Sequence, residues 1–401
     1  MKVLQTIHSV DPAGGGVAEG VKQLGATLIS MGHQVEIASL DAPNAPFLRN
    51  STLPVYALGP TSGGYGHNAK FVPWLRDNRT KYDAVVVNGL WQFHSFGTWL
   101  ALRNSDTPYV VYPHGMLDPW FKKEYPLKHL KKWLYWPWAE YRVLRDAAAV
   151  LFTCEEEKLL ARKSFWLYRC NELVVSLGTA SPTGDAYQEI STFFEMHPGL
   201  QGRRLALFMG RIHPKKGCDL LIEAFAKVLR ENADWHLVMA GPDQVGWQAR
   251  LQQRAEELGI DSRITWTGML RGGSKWGALR VAEIFVLPSH QENFGIAVAE
   301  SLAVGVPTLI SDKVNIWREV IADSAGLVAE DTMEGTHRLL QSYLEMPEEK
   351  KRTMRECARA SFAARFEIKK AAVNLELALL DITRLNAETG DRRHELCQTQ
   401  S

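Results

Sequence analysis

Two glutamates eight positions apart, Glu292 and Glu300, stand in LPSHQENFGIAVAESLAVGVP at residues 287–307. The run before them, IFVL at residues 284–287, is fully apolar and reads as a buried strand that stops at a Pro-Ser-His turn. Asn293, Phe294 and Gly295 precede an alanine- and valine-rich helix opening at Ile296, so their backbone N–H groups belong to its free positive end. Such an end suits an anion, phosphate above all. Glu292 can accept hydrogen bonds from sugar hydroxyls. Glu300, about two turns into the helix, can accept two vicinal hydroxyls, as a ribose presents. The plain alternative is a pair of solvated helix charges, but the strand end, the glycine and the alanine-rich setting favour chemistry.

A second cluster lies in FMGRIHPKKGCDLLIEAF, where Gly210, Arg211 and Lys216 fall between a strand end and a helix. A forked guanidinium with a point-charge ammonium makes a sensible clamp for a diphosphate. Lys215 and His213 read as solvated loop residues. In DPAGGGVAEG, the glycines at residues 14–16 let backbone amides approach a phosphate or sugar, with Gly15 and Gly16 at the helix start. Gly14 and Gly16 also match the first two glycines of G-x-G-x-x-G, but Glu19 holds the third place. A nicotinamide-binding fold, with Asp41 on the ribose, is the alternative that this loop leaves open. His114, in VVYPHGML, follows a strand directly and reads as a site residue; His94, among aromatic neighbours, reads as structural.

Residues 118–145, DPWFKKEYPLKHLKKWLYWPWAEYRVLR, interleave Lys122, Lys123, Lys128, Lys131 and Lys132 with Trp120, Trp133, Trp136 and Trp138. That mixture suits an anionic bilayer surface, with the rings at headgroup depth, or stacking against a carbohydrate. The competing expectation is that the aromatics pack inside and the lysines are solvated. No D-x-D triplet or H-E-x-x-H pair occurs, so no dedicated metal site is expected.

The elements that must position these residues form two series. KVLQTI, a glycine loop, a helix-period segment (Val17, Val21, Leu24, Leu28) and GHQVEIASL make a βαβ unit. YDAVVVNG, PYVVYPHG and AAAVLFTC continue it as apolar runs expected of strands covered on both faces. LGTASPTGDAYQEI reads as a linker. Beyond it RLALFMGRI, WHLVMAGP, ITWTG, EIFVLPS and PTLIS are strands alternating with helices. The expectation is an α/β chain of two doubly wound Rossmann-like domains, residues 1–185 and 203–365, facing a cleft. A helix over residues 366–386 and a frayed polar tail over 387–401 would follow.

Composition narrows the partners. The chain has 401 residues, too many for one core, with 46 basic against 45 acidic side chains. A formal net charge of +1 argues against bulk nucleic-acid binding. Five scattered cysteines without C-x-x-C, an N-terminus too polar for a signal peptide and no long apolar run fit a soluble cytoplasmic protein.

These motifs resemble the GT-B-fold glycosyltransferases of the retaining family 4, over residues 1–385. The likeness rests on the glycine loop, on GRIHPKKG, and above all on ENFGIAVAE followed by GVP. The resemblance implies Arg211 and Lys216 on a diphosphate, and Glu292 on the transferred sugar. It implies amides of Asn293, Phe294, Gly295 and Ile296 on sugar and phosphate, and Glu300 on the ribose. His114 would lie near the donor sugar, with His114, Arg211, Lys216 and Glu292 as the catalytic set. Gly15, Gly16 and Gly210 would touch the donor, and Met269 and Leu270 the base. The latter two lie in GMLRGGSKWGAL, whose Gly272-Gly273 departs from the family's usual spacing. The last helix would cross back to the first domain. YPHGMLDPW and the basic-aromatic run look most like bacterial enzymes of exopolysaccharide and cell-surface polysaccharide assembly.

The expected reaction moves a hexose, from UDP-glucose, to a hydroxyl of a glycan or lipid-linked acceptor, with no cofactor and no metal ion. The enzyme would be cytoplasmic, peripheral on the inner face of the plasma membrane. The rivals are the nicotinamide-dependent oxidoreductase above and a nucleotide-sugar-binding protein without turnover.

Overall fold

The computed structural model describes residues 1–12, 15–61, 63–229 and 232–398. The chain divides into two compact units, one of Met1–Gly178 with Ile368–Ser401, the other of Thr179–Glu367.

The first unit holds seven parallel strands: β1 (Lys2–Ile7), β2 (Gln34–Ser39), β3 (Val55–Ala57), β4 (Ala84–Asn88), β5 (Tyr109–Tyr112), β6 (Ala149–Phe152) and β7 (Glu172–Val174). Their order is β3-β2-β1-β4-β5-β6-β7. The central strands are buried along their whole length, which their valine-rich runs require when helices cover both faces. The first unit's main core gathers Val85, Val87, Val111, Phe71, Trp99 and Trp136.

The second unit holds six: β8 (Arg204–Met209), β9 (Trp235–Ala240), β10 (Ile264–Gly268), β11 (Ala282–Leu287), β12 (Thr308–Ser311) and β13 (Gly326–Ala329). The order is β10-β9-β8-β11-β12-β13, again all parallel. In each sheet the strand order reverses beside the first strand, between β1 and β4 and between β8 and β11. Ligands of open parallel sheets bind at the carboxyl ends of strands at such a reversal. Gly15 and Gly16 follow β1, Arg211 and Lys216 follow β8 and Glu292 follows β11, while His114 follows β5 and Met269 and Leu270 follow β10.

Three expectations shift. The stretch read as a linker contains the start of the helix Ala186–Met196, whose N-cap Asp185 accepts from the Gln188 amide at 2.9 Å. The division falls at Gly178 and Thr179, so this helix belongs to the second unit. The C-terminal helix runs Ile368–Gln398, well past the expected end at 386. It belongs to the first unit and packs on the helix Gly16–Ser30, with Leu375 and Leu379 buried and Glu376 at 2.9 Å from His33. Burying two leucines contributes about 3–6 kcal/mol before ordering costs.

Candidate active site

In the second unit the loops after β8, β11 and β12 are stitched together. Ser289 Oγ donates to the Lys215 carbonyl at 3.0 Å, and the His290 amide donates to the same oxygen at 2.8 Å. The Glu292 amide donates to the Lys313 carbonyl (2.9 Å), and the Asn315 amide to that of Glu292 (3.0 Å). Two glycines make the loops possible. Gly217 takes φ +64° and a Cβ there would stand 2.1 Å from the Pro288 carbonyl oxygen. Gly241, after β9, takes φ +150°, and a Cβ there would fall 1.7 Å from the Gly210 carbonyl oxygen.

This scaffold brings Lys216 onto Glu292. The Lys216 ammonium, almost wholly buried, forms an ion pair with Glu292 Oε2, whose side chain is about a quarter exposed. Burial alone would raise the Glu292 carboxyl, but Lys216, then Lys215 and Arg211, outweigh it and hold it below the usual glutamate range. Arg211 is exposed and has no ion pair among the described residues. His213 is an N-cap, its Nδ1 accepting from the Lys215 amide at 3.0 Å. Burial and three neighbouring cations lower its pKa, keeping it in the neutral form a cap needs.

Gly295, at φ +70° and ψ +63°, is the N-cap of the helix Ile296–Ala303, and no side chain caps that end. The amides of Ile296 and Ala297 therefore lack intrahelical acceptors, while that of Val298 already donates to the Gly295 carbonyl at 2.8 Å. Asn293 Oδ1 accepts from Asn315 Nδ2 at 3.2 Å, and the Phe294 ring turns inward onto Phe366, so Phe294 offers its backbone rather than its side chain. Glu300 is buried on this helix and bonded to Lys275 Nζ at 2.6 Å. Lys275 was not anticipated: it lies on the helix Gly272–Val281, 25 residues before its partner, and no local spacing marks it. At the end of β10, Leu270 is buried and Met269 is exposed. The departure at Gly272-Gly273 opens the helix Gly272–Val281, and on that helix a Cβ at Gly277 would meet the Glu189 carbonyl oxygen at 2.0 Å.

The second unit thus gathers three cations (Arg211, Lys216 and Lys275), an uncapped helix end and two carboxylates, each carboxylate held by a lysine. It can take a polyanion flanked by hydroxyls. Glu300→Ala is expected to raise the donor KM about tenfold or more with a smaller change in kcat, from the loss of a charge-assisted hydrogen bond; initial-rate kinetics check this. Glu300→Gln keeps a neutral acceptor for a hydroxyl, so part of the loss should return with it.

In the first unit, Gly15 (φ +95°) is the N-cap of the helix Gly16–Ser30, again with no side-chain cap. Gly14 lies outside the described residues. Asp41 is occupied elsewhere, accepting from Ser9 Oγ (2.5 Å) and the Val10 amide (2.9 Å). It shapes the loop after β1.

His114 follows β5 at φ +51°, a conformation that a non-glycine residue adopts at a cost of roughly 1–3 kcal/mol and that collects at functional sites. Its ring stacks on Tyr112, and Nε2 lies 3.1 Å from Asn88 Oδ1. Asn88 Nδ2 donates to Gln5 Oε1 at 2.7 Å, which leaves Oδ1 as the acceptor. The proton is thereby assigned to Nε2, and Nδ1 is the acceptor face. Burial pushes the His114 pKa down to about 4, so the ring is neutral across the physiological range. Behind it, buried Glu157 accepts from the Gly115 amide and from the Thr153 amide and hydroxyl. His94 is structural as expected: it is fully buried, with Nε2 2.8 Å from the Asn88 carbonyl. His114→Gln is expected to lower kcat/KM about 10²-fold. The acid limb of the pH–rate profile should stay where it is, because the ring titrates near pH 4, below the unperturbed 6.5; a limb that moves by a unit would overturn this assignment.

Among the described residues no group of three or more His, Cys, Asp or Glu side chains could hold a metal ion, and no helix is long and apolar enough to cross a membrane.

Comparison with known proteins agrees with this geometry. Residues 15–178 match the glycosyl transferase 4-like domain and residues 191–361 match glycosyl transferases group 1. A GDP-mannose-dependent alpha-(1-6)-phosphatidylinositol dimannoside mannosyltransferase of Mycobacterium tuberculosis is 27% identical over 403 residues, covering 98% of this chain and 99% of that one. Among solved structures, sucrose-phosphate synthase from Thermosynechococcus elongatus superposes with a TM-score of 0.75 at 18% identity, over 96% of this chain and 100% of that chain. The Anabaena protein HepE in complex with UDP-glucose does so with a TM-score of 0.71 at 18% identity, over 98% and 100%. With family matches spanning both units and two doubly wound sheets beneath them, the chain belongs to the GT-B-fold glycosyltransferases of family 4.

Proposed function

We propose that the enzyme transfers a hexose from a nucleotide sugar, UDP-glucose, to a hydroxyl of a growing or lipid-linked glycan in polysaccharide assembly, with retention of anomeric configuration. The reading rests on the Lys216–Glu292 pair beside exposed Arg211 and the uncapped helix end at Gly295. In it, Arg211 and Lys216 hold the diphosphate and Glu292 meets the hexose. Amides of Asn293, Phe294, Gly295 and Ile296 bind sugar and phosphate, and Glu300 takes the ribose hydroxyls. Leu270 and Met269 flank the base, and the family resemblance adds Gly210, Gly15, Gly16 and His114 to the residues that serve the donor.

The anomeric carbon–oxygen bond to the diphosphate breaks first, its electron pair going to the leaving oxygen. The acceptor hydroxyl then attacks from the same face, and its proton passes to that oxygen. Fixed cations and amides stabilise the charge developing on the leaving group, and no metal ion is required. Glu292, kept ionised by Lys216, stabilises positive charge on the ring in this reading. The reaction takes place at the cytoplasmic face of the membrane.

GDP-mannose is the second reading of the donor, favoured by the full-length similarity to the mycobacterial mannosyltransferase. Thermal shift in EDTA with UDP, GDP and NADH separates the readings. The matching nucleoside diphosphate at a hundredfold excess over Kd should stabilise the protein by about 2.7 kcal/mol, and NADH should not. Product NMR then reads the anomer. Inverted product, or turnover that EDTA abolishes, would sink the mechanism, and absence of transfer with every donor would leave a binding protein.

A further inference from the structure

The helix Pro126–Tyr135 is inside out. It has no buried residue at all, and its leucines face away from the protein: Leu127 is 78% exposed, Leu130 54% and Leu134 61%. Spaced three and four apart, they form one stripe on the helix. Lys132 instead turns inward, its Nζ 4.5 Å above the Trp91 ring and 5.3 Å from that of Phe121. Trp136 is fully buried and stacks on Phe165 at 4.5 Å, while Trp138, Trp133 and Trp166 are exposed. The expectation of rings inside and lysines solvated holds only for part of this face: Trp136 is inside, but Trp133 and Trp138 are exposed and Lys132 turns inward.

Next to the stripe lies a cavity of about 670 Å³, lined by Pro126, His129, Leu130, Trp133, Phe165 and Trp166. Buried Ser164 and exposed Lys122, Lys163 and Arg162 complete its lining; Arg162 also pairs with Glu172. Between Trp120 and Tyr135 the chain carries five lysines and one glutamate. A single apolar side chain in water needs no explanation, but a contiguous stripe beside an apolar cavity does.

We propose that this face of the first unit seats the enzyme on an anionic bilayer, the leucine stripe and tryptophans entering the headgroup–acyl boundary and the cavity taking the apolar part of one lipid. Lys122, Lys128, Lys131 and Lys163 then lie over lipid phosphates. The stripe and the tryptophans suit the depth at which the bilayer turns from polar to apolar. A second copy of the chain is the poorer occupant, because a two-fold contact would set these lysines against their own copies. The proposal concerns where the enzyme sits and stands whichever sugar donor it uses.

Flotation of the full chain with phosphatidylcholine vesicles, with and without phosphatidylglycerol, tests it. Binding should require the anionic lipid and weaken with salt. Lys128→Gln with Lys131→Gln should reduce it about 25-fold, from roughly fivefold for each charge near the surface. Leu130→Ser with Leu134→Ser, both exposed and so harmless to the fold, should reduce it about tenfold or more. Lys132→Gln should matter least for the charge. Melting temperature and nucleotide binding serve as controls on the variants. No flotation with anionic vesicles, equal flotation with neutral ones, or variants that float like the parent would each overturn the proposal. So would a dimer in sedimentation that the two leucine substitutions dissolve without any effect on lipid.

Discussion

Arg211→Ala is expected to lower kcat about 10²–10³-fold while leaving the melting temperature unchanged. The two halves of that statement have separate causes. Arg211 is exposed at the end of β8, with no ion pair among the described residues, so folding gains little from it. Surface substitutions of that kind usually stay within about 0.5 kcal/mol. In the proposed reaction, by contrast, the diphosphate acquires a full extra charge as the sugar leaves, and a guanidinium fixed beside it stabilises that charge more than the ground state. The loss should therefore fall on kcat rather than on the donor KM. Arg211→Lys should recover only part of the rate, because an ammonium replaces a two-point contact with one. Single-turnover transfer with saturating donor measures the step directly. Near-parental turnover in Arg211→Ala would remove Arg211 from the mechanism.

The central strands were legible because burial on both faces demands unbroken apolar runs, as AVVVN in β4 and AVLF in β6 illustrate. The three strands that the pattern missed lie at sheet edges. Val55–Ala57, Glu172–Val174 and Gly326–Ala329 are three or four residues long, and the first two are only partly buried. An edge strand has one neighbour, so its sequence is free to be short and polar. The helix at Ala186 was hidden by the turn formers that cap it.

The site divides in the same way. Glu292 and Lys216 were visible because each follows a strand end in a loop whose glycines constrain it, and the fold brings strand ends together. Lys275 and Glu157 were invisible: each acts on a residue that is remote in sequence, and only the sheet order places them side by side. Asn88 is the polar end of a valine run, and nothing local shows that it would set the His114 proton. The basic-aromatic helix shows a different limit. Its period of three and four announces an apolar face, but periodicity has no sign, and it does not say whether that face meets the core or the surroundings.

Lys216→Met is expected to cost both activity and stability, and the two losses should come apart. Its ammonium is almost wholly buried, and removing it leaves the Glu292 carboxylate with only Lys215 and Arg211 nearby. Breaking a buried pair costs about 3–5 kcal/mol; with Glu292 about a quarter exposed to solvent, about 2–3 kcal/mol is expected. The pH dependence follows from the depressed carboxyl. In the parent, Glu292 contributes stability above the unfolded-state value near 4.5 and loses it as pH falls through its lower folded value. In Lys216→Met that contribution is absent, so the urea-midpoint deficit should be full at pH 7.5 and shrink as Glu292 becomes protonated in both proteins. Adding Glu292→Gln removes the stranded charge and should restore most of the stability, but none of the 10²–10³-fold rate loss, roughly the scale of one lost transition-state donor. A double variant that regains turnover along with its midpoint would make the pair a structural brace and return the diphosphate to Arg211 and the helix end alone.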